Sequence, residues 1–152
     1  MTKAPHFLLL NQERQSVKLT DYLGKWVVLY FYPKDDTPGC TKEACNFRDG
    51  REYLEDLGAV VIGISKDSPE SHKKFINKYN LNFTLLSDPE AEVIKQYGAW
   101  GEKSMFGKKY FGINRNTILI DPKGYIFKEY KGVNPAKHID DIYKDLKEQL
   151  NN

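Results

Sequence analysis

The sequence predicts an α/β fold, a central mixed β-sheet flanked by helices with an N-terminal β-hairpin. Three observations carry that expectation. Trp26–Tyr32 (WVVLYFY) and Ala59–Ile64 (AVVIGI) are apolar almost throughout, as strands buried on both faces of a parallel sheet are. Each is followed by a helix-start pair, Thr37-Pro38 and Ser68-Pro69, a capping residue before a proline at the first helical position. Later, Thr117–Asp121 and Tyr125–Tyr130 flank Pro122-Lys123-Gly124, which predicts an antiparallel hairpin. Strands alternating with helices and then a hairpin give a mixed sheet.

The elements follow in order. The apolar run Phe7–Leu10, the polar turn Gln12–Gln15 and the alternating Ser16–Leu19 predict the N-terminal hairpin. Thr20–Gly24 reads as one helical turn closed by glycine. The helix from Thr37-Pro38 aligns Ala44, Phe47, Leu54 and Leu57 on one face and ends at Gly58, with Gly50 a weak point inside it. The Ser68-Pro69 helix reaches about Tyr79 with Phe75, Ile76 and Tyr79 as its apolar stripe, and Phe83–Leu86 forms a short strand. Asp88-Pro89 opens a helix bearing Val93, Ile94 and Tyr97 that stops at Gly98. Ala99–Asn114, rich in glycine and lysine, reads as a loop with a short extended piece. Asn134-Pro135 caps a last helix with Ile139, Ile142, Tyr143, Leu146 and Leu150 at helical spacing.

The totals exclude several functions. At 152 residues the expectation is one domain, 1–152, able to bury a core without disulfides. A net charge of +2, from 23 basic and 21 acidic side chains spread evenly, gives no reason to expect nucleic acid or an anionic membrane as partner. No run is long enough to span a membrane, and MTKAPHF lacks the apolar core of an export signal, so the cytoplasm is the expected location. Neither GxGxxG nor GxxxxGK[ST] occurs, so no dinucleotide or nucleoside triphosphate is expected. His6, His72 and His138 have no ligand-like spacing, so no metal is expected.

The chemistry concentrates in Tyr30–Arg48 (YFYPKDDTPGCTKEACNFR), which holds both cysteines. With Thr37 as N-cap, Cys40 falls in the first helical turn, beside unpaired N–H groups and the positive end of the helix dipole. Such places stabilise an anionic sulfur, the nucleophilic form of cysteine. Sites in this sheet class lie beyond the carboxyl ends of the strands, where Pro33–Cys40 also falls. Cys45 is five residues on, about 7.5 Å along the helix and rotated by about 140°. A disulfide needs Cα atoms within roughly 4.4–6.8 Å, so the two can pair only if the helix unwinds, and Gly39 and Gly50 bracket a segment that could open. The residues alone leave alternatives: Cys45 as a small buried hydrophobe, Arg115 as a solvated loop charge, a disulfide oxidoreductase that lacks CxxC, or a redox switch without turnover.

At Pro33-x-x-x-Thr37-x-x-Cys40 the chain resembles the peroxiredoxins, thiol peroxidases of thioredoxin-like fold, and with Cys45 within PGCTKEACNFRD it resembles their bacterioferritin-comigratory-protein (PrxQ-type) branch. The likeness continues through Val61–Ser68, Leu85–Pro89 and Gly112–Asp121. It implies Cys40 as the sulfur that attacks the peroxide and becomes a sulfenic acid, and Cys45 as the resolving thiol that forms an intrachain disulfide. It implies a Thr37 hydroxyl offered to thiolate and peroxide, Arg115 polarising the peroxide, Pro33 shielding the pocket and Glu43 orienting the arginine. A hydroperoxide substrate, thioredoxin or a similar dithiol reductant, no cofactor and a monomeric state are implied as well.

Overall fold

The strand Trp26–Phe31 divides the molecule. Val27, Leu29 and Phe31 enter one apolar cluster, while Val28, Tyr30 and the following Tyr32 enter another. Successive side chains of a strand point to opposite faces, so a strand covered on both sides must be apolar throughout. The computed structural model describes residues 2–150. In order it contains β1 (Leu8–Asn11), β2 (Ser16–Lys18), a 3-10 turn (Leu19–Tyr22), β3 (Trp26–Phe31), α1 (Pro38–Asp56), β4 (Ala59–Ser65), α2 (Pro69–Tyr79), β5 (Thr84–Ser87), α3 (Glu92–Gln96), β6 (Trp100–Met105), β7 (Lys108–Ile113), β8 (Thr117–Ile120), β9 (Ile126–Tyr130) and α4 (His138–Leu150).

Seven strands form a mixed sheet ordered β2-β1-β5-β4-β3-β8-β9. Strands β3, β4 and β5 run parallel, and β1, β2, β8 and β9 complete the sheet through antiparallel pairs. One face is covered by α1, α2 and α4, through Phe47, Leu54, Phe75, Ile142 and Leu146. The other is covered by Phe7, by Val93 and Ile94 of α3, and by Tyr97. Among the described residues no helix is long and apolar enough to cross a membrane. The antiparallel pairing of β8 with β3 sets Thr117 opposite Tyr30. Arg115, two residues before Thr117, therefore emerges at the end of the sheet where β3 delivers the chain to Pro33.

The expected mixed sheet, N-terminal hairpin and paired β8–β9 are present, but four local expectations change. Ala99–Asn114 is not a loop: β6 and β7 form their own antiparallel hairpin, with Trp100 opposite Ile113 and a two-residue turn at Phe106-Gly107. Most of its side chains are exposed, so no alternating pattern marks it, and its turn lacks the Asn or Gly that normally precedes such a glycine. The helix expected at Asp88-Pro89 begins at Glu92, because Asp88 closes a turn by accepting the Ile94 N–H at 2.8 Å. The last helix begins at His138, since Asn134 holds its own turn through the Ala136 and Lys137 N–H groups, and Leu150 is exposed. Gly50 has a packing reason to be glycine: a Cβ there would collide with Ile139 of α4.

Candidate active site

The turn after β3 enters α1 as the sequence predicts, with Thr37 in extended N-cap conformation (φ −100°, ψ 156°) and Pro38 first in the helix. The Thr37 side chain does not cap, however. Its hydroxyl donates to the Lys34 carbonyl at 2.9 Å, leaving the first-turn N–H groups without a side-chain acceptor. Cys40 sits among them, buried to 1% exposure. Pro33, half-buried, links the strand to this turn.

Three of the expected residues converge. Arg115 Nη2 donates to Cys40 Sγ at 3.5 Å, and its Nη1 donates to Glu43 Oε1 at 3.0 Å. Glu43 lies one turn beyond Cys40, so the helix itself aligns sulfur and carboxylate beneath the guanidinium. Gly39 makes room for it, since a Cβ there would stand 3.0 Å from Nη2. Glu43 is buried, and its Oε2 finds no hydrogen-bond partner among the described residues. Burial pushes its carboxyl up from 4.5 to about 7, against the opposing pull of Arg115. Burial also lowers the Lys103 ammonium, helped by repulsion from Arg115.

The raised carboxyl makes stability depend on pH. Between 4.5 and about 7 the folded chain binds more protons at Glu43 than the unfolded chain does, so the contribution of this residue is full below 4.5 and is lost as pH rises through about 7. His138, which burial pushes down to about 4, has the opposite slope, its contribution falling away as pH drops from 6.5 through about 4. Glu43→Gln is therefore expected to flatten the decline above pH 4.5 in urea unfolding measured across pH. An unchanged profile would contradict the assignment.

Cys45 is not part of this cluster. It is half-buried five residues further along an unbroken helix, and both thiols are free. The next residue, Asn46, ties that turn to the segment before α4 through the Pro135 carbonyl at 2.8 Å. Opening α1 at Cys45 would strain or release that bond.

Behind the turn lies a polar network that the sequence did not reveal. Asp35 is buried; it accepts from Tyr32 Oη at 2.5 Å and Ser71 Oγ at 2.8 Å, and faces His72 Nδ1 at 2.7 Å. His72 Nε2 donates to the Leu86 carbonyl at 3.0 Å, and the Asp35 N–H donates to Asp67 Oδ2 at 2.9 Å. Asp36, at positive φ, accepts from Lys78 Nζ and Tyr79 Oη of α2, both at 2.7 Å. Asp35, Asp67 and His72 offer ligand atoms within 4.8 Å of one another, a grouping that histidine spacing did not suggest. Asp35 Oδ2 faces His72 Nδ1 while Asp67 Oδ2 accepts from the Asp35 N–H and Ser65 Oγ, and the cluster clamps the Pro33–Thr37 turn onto α2. Asp35 in the sequence resembles any turn charge. His72 left one signal, its position three residues before Phe75 on the buried face of α2.

Comparison with known proteins gives this geometry its context. The AhpC/TSA family profile matches residues 1–128. The chain is 49% identical to peroxiredoxin Bcp of Bacillus subtilis over 146 residues, covering 96% of this chain and 93% of that one. It is 47% identical to peroxiredoxin Bcp of Escherichia coli over 145 residues, covering 95% and 93%. A structure of the Xanthomonas campestris bacterioferritin comigratory protein, studied for its alkyl peroxide reduction activity, superposes with a TM-score of 0.89 at 34% identity, covering 94% of this chain and 91% of that one. A sulfur in the first turn of a helix, an arginine donating to it and a thioredoxin-type sheet thus occur in a chain that belongs to the AhpC/TSA family and, within it, to the Bcp-type peroxiredoxins, thiol-dependent peroxidases that act on peroxides with a thiol reductant.

Proposed function

We propose that Cys40 is the sulfur that reduces the hydroperoxide and Cys45 the thiol that resolves it. The observation that carries this reading is the guanidinium of Arg115, 3.5 Å from Cys40 Sγ with its other arm 3.0 Å from buried Glu43. In the first step the Cys40 thiolate attacks the terminal peroxide oxygen. The O–O bond breaks, the alkoxide or hydroxide leaves and takes up a proton, and Cys40 becomes a sulfenic acid. Negative charge passes from sulfur to the departing oxygen, so a fixed donor reaching both stabilises the transition state more than the ground state. Arg115 and the uncapped N–H groups of α1 are such donors. Because the Thr37 proton is given to Lys34, its oxygen meets the substrate as an acceptor for the peroxide O–H. Pro33 closes that side of the pocket to water.

In the second step the Cys45 thiolate attacks Sγ of the sulfenic acid, the S–O bond breaks and water leaves. The first turns of α1 must open for this, so oxidation and local unfolding are coupled. A dithiol reductant, thioredoxin or a similar protein, then returns the disulfide to two thiols by exchange. Hydrogen peroxide and organic hydroperoxides are the substrates, in keeping with the alkyl peroxide activity of the Xanthomonas campestris relative. The steps use two sulfurs and a guanidinium, with no metal or organic cofactor. We read residues 1–152 as one domain acting as a monomer in the cytoplasm, where two free thiols are the usual state.

Cys45→Ser tests the division of labour. One equivalent of peroxide is expected to add one oxygen to this variant, and steady-state turnover supported by thioredoxin is expected to stop. Thioredoxin-supported turnover at the wild-type rate would contradict the role of Cys45.

A further inference from the structure

The β6–β7 hairpin is built against its own stability. Its turn sets both Phe106 and Gly107 at positive φ, 52° and 79°. Glycine adopts that conformation freely and asparagine with little strain, but an aromatic residue is an outlier there. Phe106 is also 98% exposed, so the strain yields no burial. Met105, next to it in the chain, is 56% exposed, and Phe111, opposite Glu102 further along the arm, is 67% exposed. Among the described residues this hairpin pairs with no other strand, and such a pair alone is marginal in water, yet its base is fixed to the body of the molecule. Ala99 and Ile113 are buried in the core and Trp100 packs against it, while the Asn114 N–H, donating to the Ala99 carbonyl at 2.7 Å, joins the two arms there. A strained, fully exposed phenyl on an anchored arm has its explanation outside the chain.

The arm has a direction and a charge. Strand β7 runs from the tip through Asn114 to Arg115, which donates to Cys40 Sγ. Six residues at about 3.3 Å each make this strand roughly 20 Å long, and Arg115 lies two residues beyond its end. A peroxide needs no contact so far from the sulfur, and a flat bilayer touching the tip would stand away from the site. A protein of about 100 residues, some 30 Å across, spans the gap and still reaches α1. Lys103, Lys108 and Lys109 outnumber the single acid, Glu102, to which Lys109 pairs at 3.7 Å. The arm therefore suits an acidic surface with an apolar patch.

We propose that the β6–β7 hairpin, with Phe106 at its tip, is the docking arm for the protein dithiol that reduces the Cys40–Cys45 disulfide. The partner is a small acidic protein whose apolar rim receives Phe106 while its dithiol reaches α1. This rests on the reading of the two cysteines given above.

Phe106→Asn separates docking from chemistry, because asparagine relieves the turn. The variant is expected to unfold roughly 2–4 °C higher than wild type and to consume peroxide unchanged with dithiothreitol. With thioredoxin, its reductase and NADPH, its KM for thioredoxin is expected to rise by roughly fivefold or more. Lys108→Glu is expected to raise the same KM, most strongly at low salt. An unchanged KM for thioredoxin in Phe106→Asn would overturn the proposal. So would an unchanged KM accompanied by loss of sedimentation with phosphatidylglycerol vesicles, which would assign the arm to a lipid surface, or by loss of a concentration-dependent dimer, which would assign it to a second copy. Failure of the wild-type chain to turn over with dithiothreitol would overturn the reading of the cysteines, and the docking proposal with it.

Discussion

Cys40→Ser is expected to lower peroxide consumption with dithiothreitol by about 10⁴-fold or more, to the level of buffer and reductant alone. The side chain is buried and serine is nearly its equal in size, so the loss should come with only a small change in unfolding temperature. No other residue can take over. The second thiol, Cys45, lies beyond the first turn, and Arg115 donates to the sulfur at position 40. Rate and stability must therefore be read together. Steady-state turnover by Cys40→Ser near the wild-type rate would contradict the assignment, whereas a collapse of the fold would leave the rate uninterpretable and call for Cys40→Ala in its place.

Arg115→Ala is expected to slow the reaction with peroxide by about 10²–10³-fold, the usual consequence of removing one preorganised donor from a developing anion. Stopped-flow measurement of sulfenic acid formation reads this step apart from disulfide formation and reduction. Arg115→Lys should recover only part of the loss, because an ammonium cannot reach Sγ and Glu43 at once as the two arms of the guanidinium do. The double variant with Glu43→Gln carries a sharper expectation. If Glu43 acts by holding the arginine, removing it after Arg115 should cost almost nothing further. Additive losses would show a separate role for the carboxylate, and an unchanged rate in Arg115→Ala would return the residue to an ordinary surface charge.

The parts of the site that a local pattern can encode were legible in the sequence. Thr37-Pro38 before a helix fixes the register of α1, and that register alone puts Cys40 in the first turn and Glu43 one turn later. The apolar run Trp26–Tyr32 announced a strand buried on both faces, and the structure divides its side chains between two cores. Arg115, and Glu43 as the residue that orients it, were legible only through resemblance, because the place of the arginine depends on β8 pairing antiparallel with β3, which no local pattern encodes. The same holds for the clamp of Asp35 and His72, whose partners lie 37 residues apart in the chain. Thr37 shows a subtler limit: the backbone adopts the N-cap conformation as expected, yet the hydroxyl turns to Lys34. The β6–β7 hairpin went unseen because strand patterns come from burial, and this hairpin buries little of itself.

Gly39 and Gly50 illustrate how one residue type can answer two demands. Both were expected to ease unwinding of α1. The structure gives each a packing reason as well, Gly39 beneath the guanidinium and Gly50 beneath Ile139. Unwinding must then break contacts at both ends, together with the bond from Asn46 to the Pro135 carbonyl. The disulfide form should accordingly exchange its amide protons faster across the start of α1 than the reduced form does.

In the proposed cycle one sulfur reacts and a second captures the product after α1 opens. Trypsin cleaves after Lys34, Lys42 and Arg48, so Cys40 and Cys45 fall on separate peptides, 35–42 and 43–48. After one equivalent of hydrogen peroxide, alkylation and digestion without reductant, mass spectrometry should find these two peptides joined, with the intact chain lighter by two hydrogens. Recovery of both peptides unlinked and fully alkylated, with peroxide consumed, would contradict it.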